Sequence, residues 1–222
     1  MSAAASSTTL KARRGCALSD SACCRDILAG TVRITSQILG KGAHGIVYKG
    51  YNAASSDSEW FVDDASAFAV KCVSKRDLDP NTLEAVQDEA YLQAYVSDHP
   101  NIASVLAMDE DSDFVYIVMQ YCPEGDLFTR ITETDDYKND QNLSRSIMLQ
   151  VIDAVSYCHT NGIYHRDLKP ENILCSEGGR KILLSDFGLA STEQFSTRYG
   201  CGSPSAMSPG PQSSLWLIVH LH

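Results

Sequence analysis

The sequence predicts an α+β fold, because strand-like runs dominate its first half and helical spacing takes over in its second. That order argues against a doubly wound parallel sheet, and no internal repeat is visible. The 222 residues, 44% hydrophobic and 21% charged, suffice for one substantial core or two small lobes.

Residues 32–49 are strand-like, with Val32, Ile34 and Ile38 before a glycine cluster and Ile46, Val47 and Tyr48 after it; Gly50 is expected to end the run. Residues 52–67, rich in Ser, Asp and Ala, predict a long exposed loop. Phe68-Ala69-Val70-Lys71-Cys72-Val73 predicts a short strand. Pro80-Asn81-Thr82 opens a helix to about Ser97, before the break at His99-Pro100-Asn101. Residues 114–120 form the next buried strand. Leu143, Ile147, Met148, Val151, Ile152 and Val155 recur at three and four residue steps, a helix with a wide apolar face.

The formal charge of -10 argues against a nucleic-acid partner, since phosphate backbones are held by Lys and Arg. Eight cysteines are scattered without a CxxC pair or a secretory leader, so reduced thiols in the cytoplasm or nucleus are expected. Residues 1–18 are Ser/Ala-rich with Lys11, Arg13 and Arg14, a composition shared by transit peptides and disordered tails; the tail is the simpler reading. The apolar run 215–219 is too short to cross a bilayer, so no membrane association is expected.

Gly40-Lys41-Gly42-Ala43-His44-Gly45-Ile46-Val47 reads GxGxxGxV, and glycines let backbone N–H groups approach phosphate oxygens. In a dinucleotide-binding fold such a loop opens a helix; here β-branched residues follow, so it joins two antiparallel strands. A plain glycine-rich hairpin is the bland alternative. His44 is expected at the exposed tip rather than as a base. Lys71 ends an apolar strand and needs a partner, because an isolated buried ammonium is costly. Glu89 on the following helix is the natural candidate, with Glu84 and Asp88 as rivals.

Tyr164-His165-Arg166-Asp167-Leu168-Lys169-Pro170-Glu171-Asn172 is the most specific signal, followed by Asp186-Phe187-Gly188 after the apolar Ile182-Leu183-Leu184. Phosphoryl transfer rests on positioning and charge neutralisation, so an acceptor, a cation and metal ligands must converge on one phosphate.

On these motifs residues 31–209 resemble a eukaryotic protein kinase of the serine/threonine type. The resemblance implies a bilobal kinase-like fold, with a complete β-rich small lobe and an incomplete α-helical large lobe. The expected boundaries are a flexible extension at 1–30, the small lobe at 31–120, a partial large lobe at 121–209 and an unrelated tail at 210–222. It implies ATP and Mg²⁺ as cofactors and protein Ser/Thr hydroxyls as substrates; the oligomeric state is not legible. Asp167 would orient the substrate hydroxyl and accept its proton, Lys169 would neutralise the γ-phosphate, and Asn172 and Asp186 would bind Mg²⁺. Lys71, held by Glu89, would meet the α- and β-phosphates beneath Gly40, Gly42 and Gly45. Met119 would be the gatekeeper, Gln120 would belong to the nucleotide-binding hinge, and the Tyr121–Cys122 backbone would bond the adenine edge. Asp126 would reach the ribose, and Leu39, Val47, Ala69 and Leu174 would sandwich the ring.

Gly125-Asp126-Leu127-Phe128-Thr129, Gly162-Ile163-Tyr164 and Gly200-Cys201-Gly202-Ser203 resemble the fungal kinase group that includes regulators of meiotic entry and glucose response. Ser196 and Thr197 are candidates for phosphorylation, with Arg166 as the pairing cation. Ser203 fits the position that contacts the catalytic loop. Met207-Ser208-Pro209 also fits, but Gly210 stands where the family has glutamate. The resemblance thus implies a chain truncated within the large lobe, its residue 143–155 helix left with an exposed apolar face. A non-catalytic nucleotide-binding fragment and an unstable truncated product stay open as alternatives.

Overall fold

The structure is a computed structural model that describes residues 24–42, 44–53, 66–76 and 78–193. Residues 1–18, Cys23, most of the 52–67 segment, Ser196, Thr197, Ser203 and everything from 207 onward therefore lie outside the described residues.

Six antiparallel strands build one sheet: β1 (Asp26–Ile27), β2 (Val32–Lys41), β3 (Ile46–Asn52), β4 (Ala67–Ser74), β5 (Val105–Glu110) and β6 (Phe114–Gln120), in the order β1-β2-β3-β4-β6-β5. Side chains alternate across the pleat, so each strand feeds two faces. One face gathers Ile27, Val32, Ile34, Tyr48, Val70, Cys72, Tyr116 and Val118 into an apolar cluster. The other sets Val73, Val115 and Ile117 against Val86 and Ala90 of α1 (Pro80–Tyr95). β6 lies between two neighbours and is buried on both faces, which is why Phe-Val-Tyr-Ile-Val reads as a continuous apolar run. α1 starts where Asp79 accepts from the Asn81 and Thr82 N–H groups at 3.0 and 3.1 Å, with Pro80 in the first turn.

After Gln120 the chain turns helical, through α2 (Leu127–Glu133), α3 (Asp136–Asn139) and α4 (Gln141–Thr160). A 3-10 turn at Pro170–Asn172 then leads into the hairpin β7 (Ile173–Ser176) and β8 (Lys181–Leu184). Asp140 caps α4 through the Asn142 and Leu143 N–H groups, both at 3.0 Å. Ile147, Val151, Ala154 and Cys158 recur along one stripe of α4 and pack with Ile163, Ile182, Leu184 and Phe187 in the second core. Behind the cleft, the stretch between α1 and β5 ties the sheet to this core. Ile102 bridges Leu184, Asn101 Nδ2 donates to the Ile182 carbonyl at 2.9 Å, and His99 Nε2 meets Asp153 of α4 at 3.2 Å.

Four expectations change. Residues 24–30 do not behave as a flexible extension: β1 pairs with β2 and Ile27 is buried, because that apolar side chain completes the outer sheet face. Gly50 does not end its strand. It pairs with Ile34 and Phe68 inside β3, where a Cβ would stand 2.9 Å from Val70 Cγ2 and 3.2 Å from the Arg33 carbonyl. The glycine there answers a close approach of chains rather than a turn. The first helix stops at Tyr95, two residues early, and the apolar face of α4 is not exposed as a whole. Ile147 and Val151 are buried on β8, while Leu149 and Ile152 stay 56% and 52% exposed.

Candidate active site

The two halves meet at a cleft roofed by the β2–β3 turn. A Cβ on Gly45 would lie 2.5 Å from the Cys72 carbonyl, so only glycine lets the turn rest on β4. Above Gly40 and Gly42 there is open space: a Cβ on Gly40 meets nothing within 4 Å, and one on Gly42 only the Gly45 carbonyl at 3.7 Å. The roof is thus bare backbone with room beside it, a cradle suited to oxyanions. His44 is exposed, as expected of a tip residue.

Register aligns the walls. Gly40 pairs with Val47 and Val47 with Lys71, while Ala69 pairs with Met119. Cross-strand partners share a face, so these residues line one side of the sheet. Leu39, Val47, Ala69 and Met119 are all half-buried, unlike the buried outer-face residues Tyr48, Val70 and Val118. Lys71 Nζ donates to Glu89 Oε1 at 2.6 Å, and their side chains are 14% and 10% exposed. Of the rival carboxylates, Glu84 and Asp88 both face outward. A Cβ on Gly188 would sit 3.5 Å from Glu89 Oε2 and 3.2 Å from Asp186 Oδ1. Lys71, Glu89 and Asp186 therefore converge on one end of the cleft.

Below, the strand bridge between Tyr164 and Ser191 clamps both ends of the catalytic-loop region. Arg166 and Asp186 both adopt left-handed backbone, φ +64° and +62°, a conformation that non-glycine residues hold only under constraint. Buried His165 supplies part of that constraint. Its Nε2–H donates to the Ser185 carbonyl at 3.0 Å, its Nδ1 accepts from the Asp167 N–H at 3.3 Å, and Phe187 packs edge-on with ring centres 4.7 Å apart. Burial holds the His165 pKa below its ordinary value, which favours the neutral imidazole, and the two hydrogen bonds select the tautomer with its proton on Nε2.

Asp167 Oδ2 accepts from Lys169 Nζ at 2.7 Å and from Asn172 Nδ2 at 2.9 Å. The hydrogen bond to Asp167 raises the Lys169 pKa, so the ammonium stays charged. Asn172 also donates to the Asp167 carbonyl at 2.9 Å, which commits its amide nitrogen to the loop and leaves its oxygen as the remaining ligand atom. That oxygen and the exposed Asp186 carboxylate are hard donors of the kind Mg²⁺ takes. No group of three or more His, Cys, Asp or Glu capable of holding a metal occurs among the described residues.

At the far side the chain leaves β6 through half-buried Tyr121 and Cys122. Burial pushes the Cys122 thiol up to about 11, so it is a neutral packing group. Asp126 caps α2 by accepting from the Thr129 N–H at 2.7 Å and bridges Leu174 of β7. The sequence shows His165 only as a member of the 164–172 motif and marks no role for Glu124, Arg130 or Ser191, each of which braces a site segment through its contacts. The adjacent glycines Gly178 and Gly179 signal a tight turn, but no pattern in the sequence sets Glu124 or Arg130 beside it.

A glycine-roofed sheet with a lysine–glutamate pair, above a helical half bearing a clustered Asp-Lys-Asn and a metal-type aspartate, defines the protein kinase class. Residues 34–210 match the family described as protein kinase domain, and the chain belongs to that family. It is 43% identical over 183 residues to a negative regulator of sexual conjugation and meiosis from Schizosaccharomyces pombe, covering 82% of this chain and 37% of that protein. It is 39% identical over 148 residues to the serine/threonine-protein kinase ksp1 of the same yeast, covering 64% of this chain and 30% of that protein. It is 35% identical over 175 residues to a calcium/calmodulin-dependent protein kinase type 1 of Caenorhabditis briggsae, covering 78% and 46%. The chain thus spans less than half the length of these relatives.

Proposed function

We propose that the chain transfers the γ-phosphoryl group of Mg·ATP to serine or threonine hydroxyls of proteins. The observation that carries this reading is the cluster at Asp167, where Lys169 Nζ and Asn172 Nδ2 fix one carboxylate oxygen at 2.7 and 2.9 Å. A carboxylate so held can orient an incoming hydroxyl and take its proton as the new O–P bond forms and the bond to the leaving ADP oxygen breaks. Lys169 sits within reach of the same centre to offset the charge on the moving phosphoryl group. Lys71, aimed by Glu89, holds the α- and β-phosphates under the open backbone of Gly40 and Gly42.

Asn172 and Asp186 would hold Mg²⁺, which when bound offsets negative charge on the phosphate oxygens. The hinge segment Gln120, Tyr121 and Cys122 would take the adenine edge behind the gatekeeper Met119. Leu39, Val47, Ala69 and Leu174 would enclose the ring, and Asp126 would approach the ribose while capping α2. Placement in the cytoplasm or nucleus rests on the scattered cysteines of the sequence, which form no CxxC pair. Among the described residues no helix is long and apolar enough to cross a membrane.

Phosphate incorporation into a Ser/Thr peptide tests the reading. The wild-type chain should transfer in the presence of Mg²⁺, and Asp186→Ala should lose at least about 100-fold; equal rates would remove the catalytic assignment. The alternative reading is a nucleotide-binding unit without transfer. A nucleotide-induced rise in Tm with no phosphate incorporated would decide for it.

A further inference from the structure

We infer that Glu124 and Arg130 are positioning residues for the nucleotide, latching the β7–β8 hairpin to the hinge; the inference rests on the kinase reading above. Glu124 lies two residues beyond Cys122, yet its carboxylate reaches the far turn of the hairpin. Oε1 accepts from the Gly178 N–H at 2.7 Å, and Oε2 accepts from the Gly179 N–H at 2.8 Å and from Arg130 Nη1 at 3.0 Å. Glu177, Gly178 and Gly179 all carry positive φ, +56°, +70° and +75°, which turns successive N–H groups toward one point. Arg130 of α2 closes the knot, with Nη2 donating to the Gly178 carbonyl at 2.8 Å and to Asp136 of α3 at 2.9 Å. Tyr137 adds a hydroxyl to the Gly179 carbonyl at 2.9 Å. A Cβ at Gly179 would collide with the Arg130 guanidinium and the Tyr137 hydroxyl, so the turn packs directly on both.

The latch acts at one end of the hairpin. The other end, beside Asn172 and Asp186, has its own restraints, since the Ser185 N–H donates to the Asn172 carbonyl at 2.9 Å and His165 holds the Ser185 carbonyl. Between them stands Leu174, which faces Asp126 across a bridge, next to Cys175, whose N–H donates to the Gly125 carbonyl at 2.8 Å. Loss of the latch therefore loosens the floor against the hinge, where adenosine would lie, more than the phosphate end. An effect on ground-state and transition-state binding alike raises KM and leaves kcat in place.

The test is Glu124→Gln in the 222-residue chain, with ATP Kd by calorimetry and steady-state transfer to a Ser/Thr peptide. The expected result is a rise of about five-fold in both the Kd and the KM for ATP, with kcat and the peptide KM within about two-fold of wild type. Unchanged ATP affinity in the variant overturns the latch, as does a parallel fall in kcat and Tm with the affinity kept. Should Glu124→Gln not fold, Tyr137→Phe removes one contact to the same turn and should weaken ATP binding about two-fold; no change there also overturns it. Failure of wild type to bind ATP would instead overturn the kinase reading itself.

Discussion

At the scale of single residues, the site is held by buried polar groups that bond in fixed directions. His165 is the clearest case. It is 2% exposed, it donates to Ser185 and accepts from Asp167, and burial keeps its pKa below the ordinary 6.5. The unfolded chain therefore binds a proton at this side chain in a range where the folded chain does not. The resulting stability is fully present above about pH 6.5 and is lost as pH falls toward the lower folded pKa. Between about pH 7.5 and pH 5.5 the wild type should lose more stability than His165→Gln, as read from urea unfolding midpoints at each pH. Equal losses would show that His165 does not set the acid limb. The sequence made the catalytic-loop residues legible as a motif, but not this role. Nothing in the order of residues around 165 says that Ser185 will lie beside it.

At the scale of elements, local pattern revealed what is locally determined. The apolar run 114–120 gave its strand with the right ends, and the three-four spacing gave the core of α4. The β5 strand was hidden because Val105–Glu110 sits at the sheet edge with no fully buried residue and no clean alternation. Short α2 and α3 were hidden because neither carries a long apolar stripe: α2 is marked by its Asp126 cap, and α3 is a single turn anchored by buried Tyr137. Glycine carries two meanings that sequence alone merged. Gly45 and Gly50 answer steric contact within the sheet, whereas Gly40 and Gly42 leave open space. Gly45→Ala should thus destabilise the fold by about 2 kcal/mol, since the Cys72 carbonyl must move. Gly40→Ala should leave unfolding midpoints unchanged and weaken ATP binding. Denaturant curves and ATP titrations of the two variants check the contrast, and the reverse pattern would refute it.

At the scale of the whole molecule, two cores stand on either side of the cleft. One is built by the sheet with α1, the other by α4 with the β7–β8 hairpin. The cleft chemistry depends on elements from both, with Lys71 and Glu89 above and Asp167, Asn172 and Asp186 below. Asn101, Ile102 and His99 join the halves behind it, and the hinge joins them at the side. The α+β class and the order of the lobes were legible because strands precede helices in the chain. The docking of the halves was not, since it rests on contacts between residues far apart in the chain, such as Asn101 with Ile182, 81 positions on.

The measurement closest to the centre of this account is phosphoryl transfer by Asp167→Asn, with ATP affinity measured on the same preparation. Removing the proton acceptor while keeping the side-chain shape should slow transfer to a Ser/Thr peptide by about 1,000-fold and leave ATP affinity within about two-fold. Transfer at the wild-type rate, or loss of ATP binding in step with transfer, would contradict the role given to Asp167.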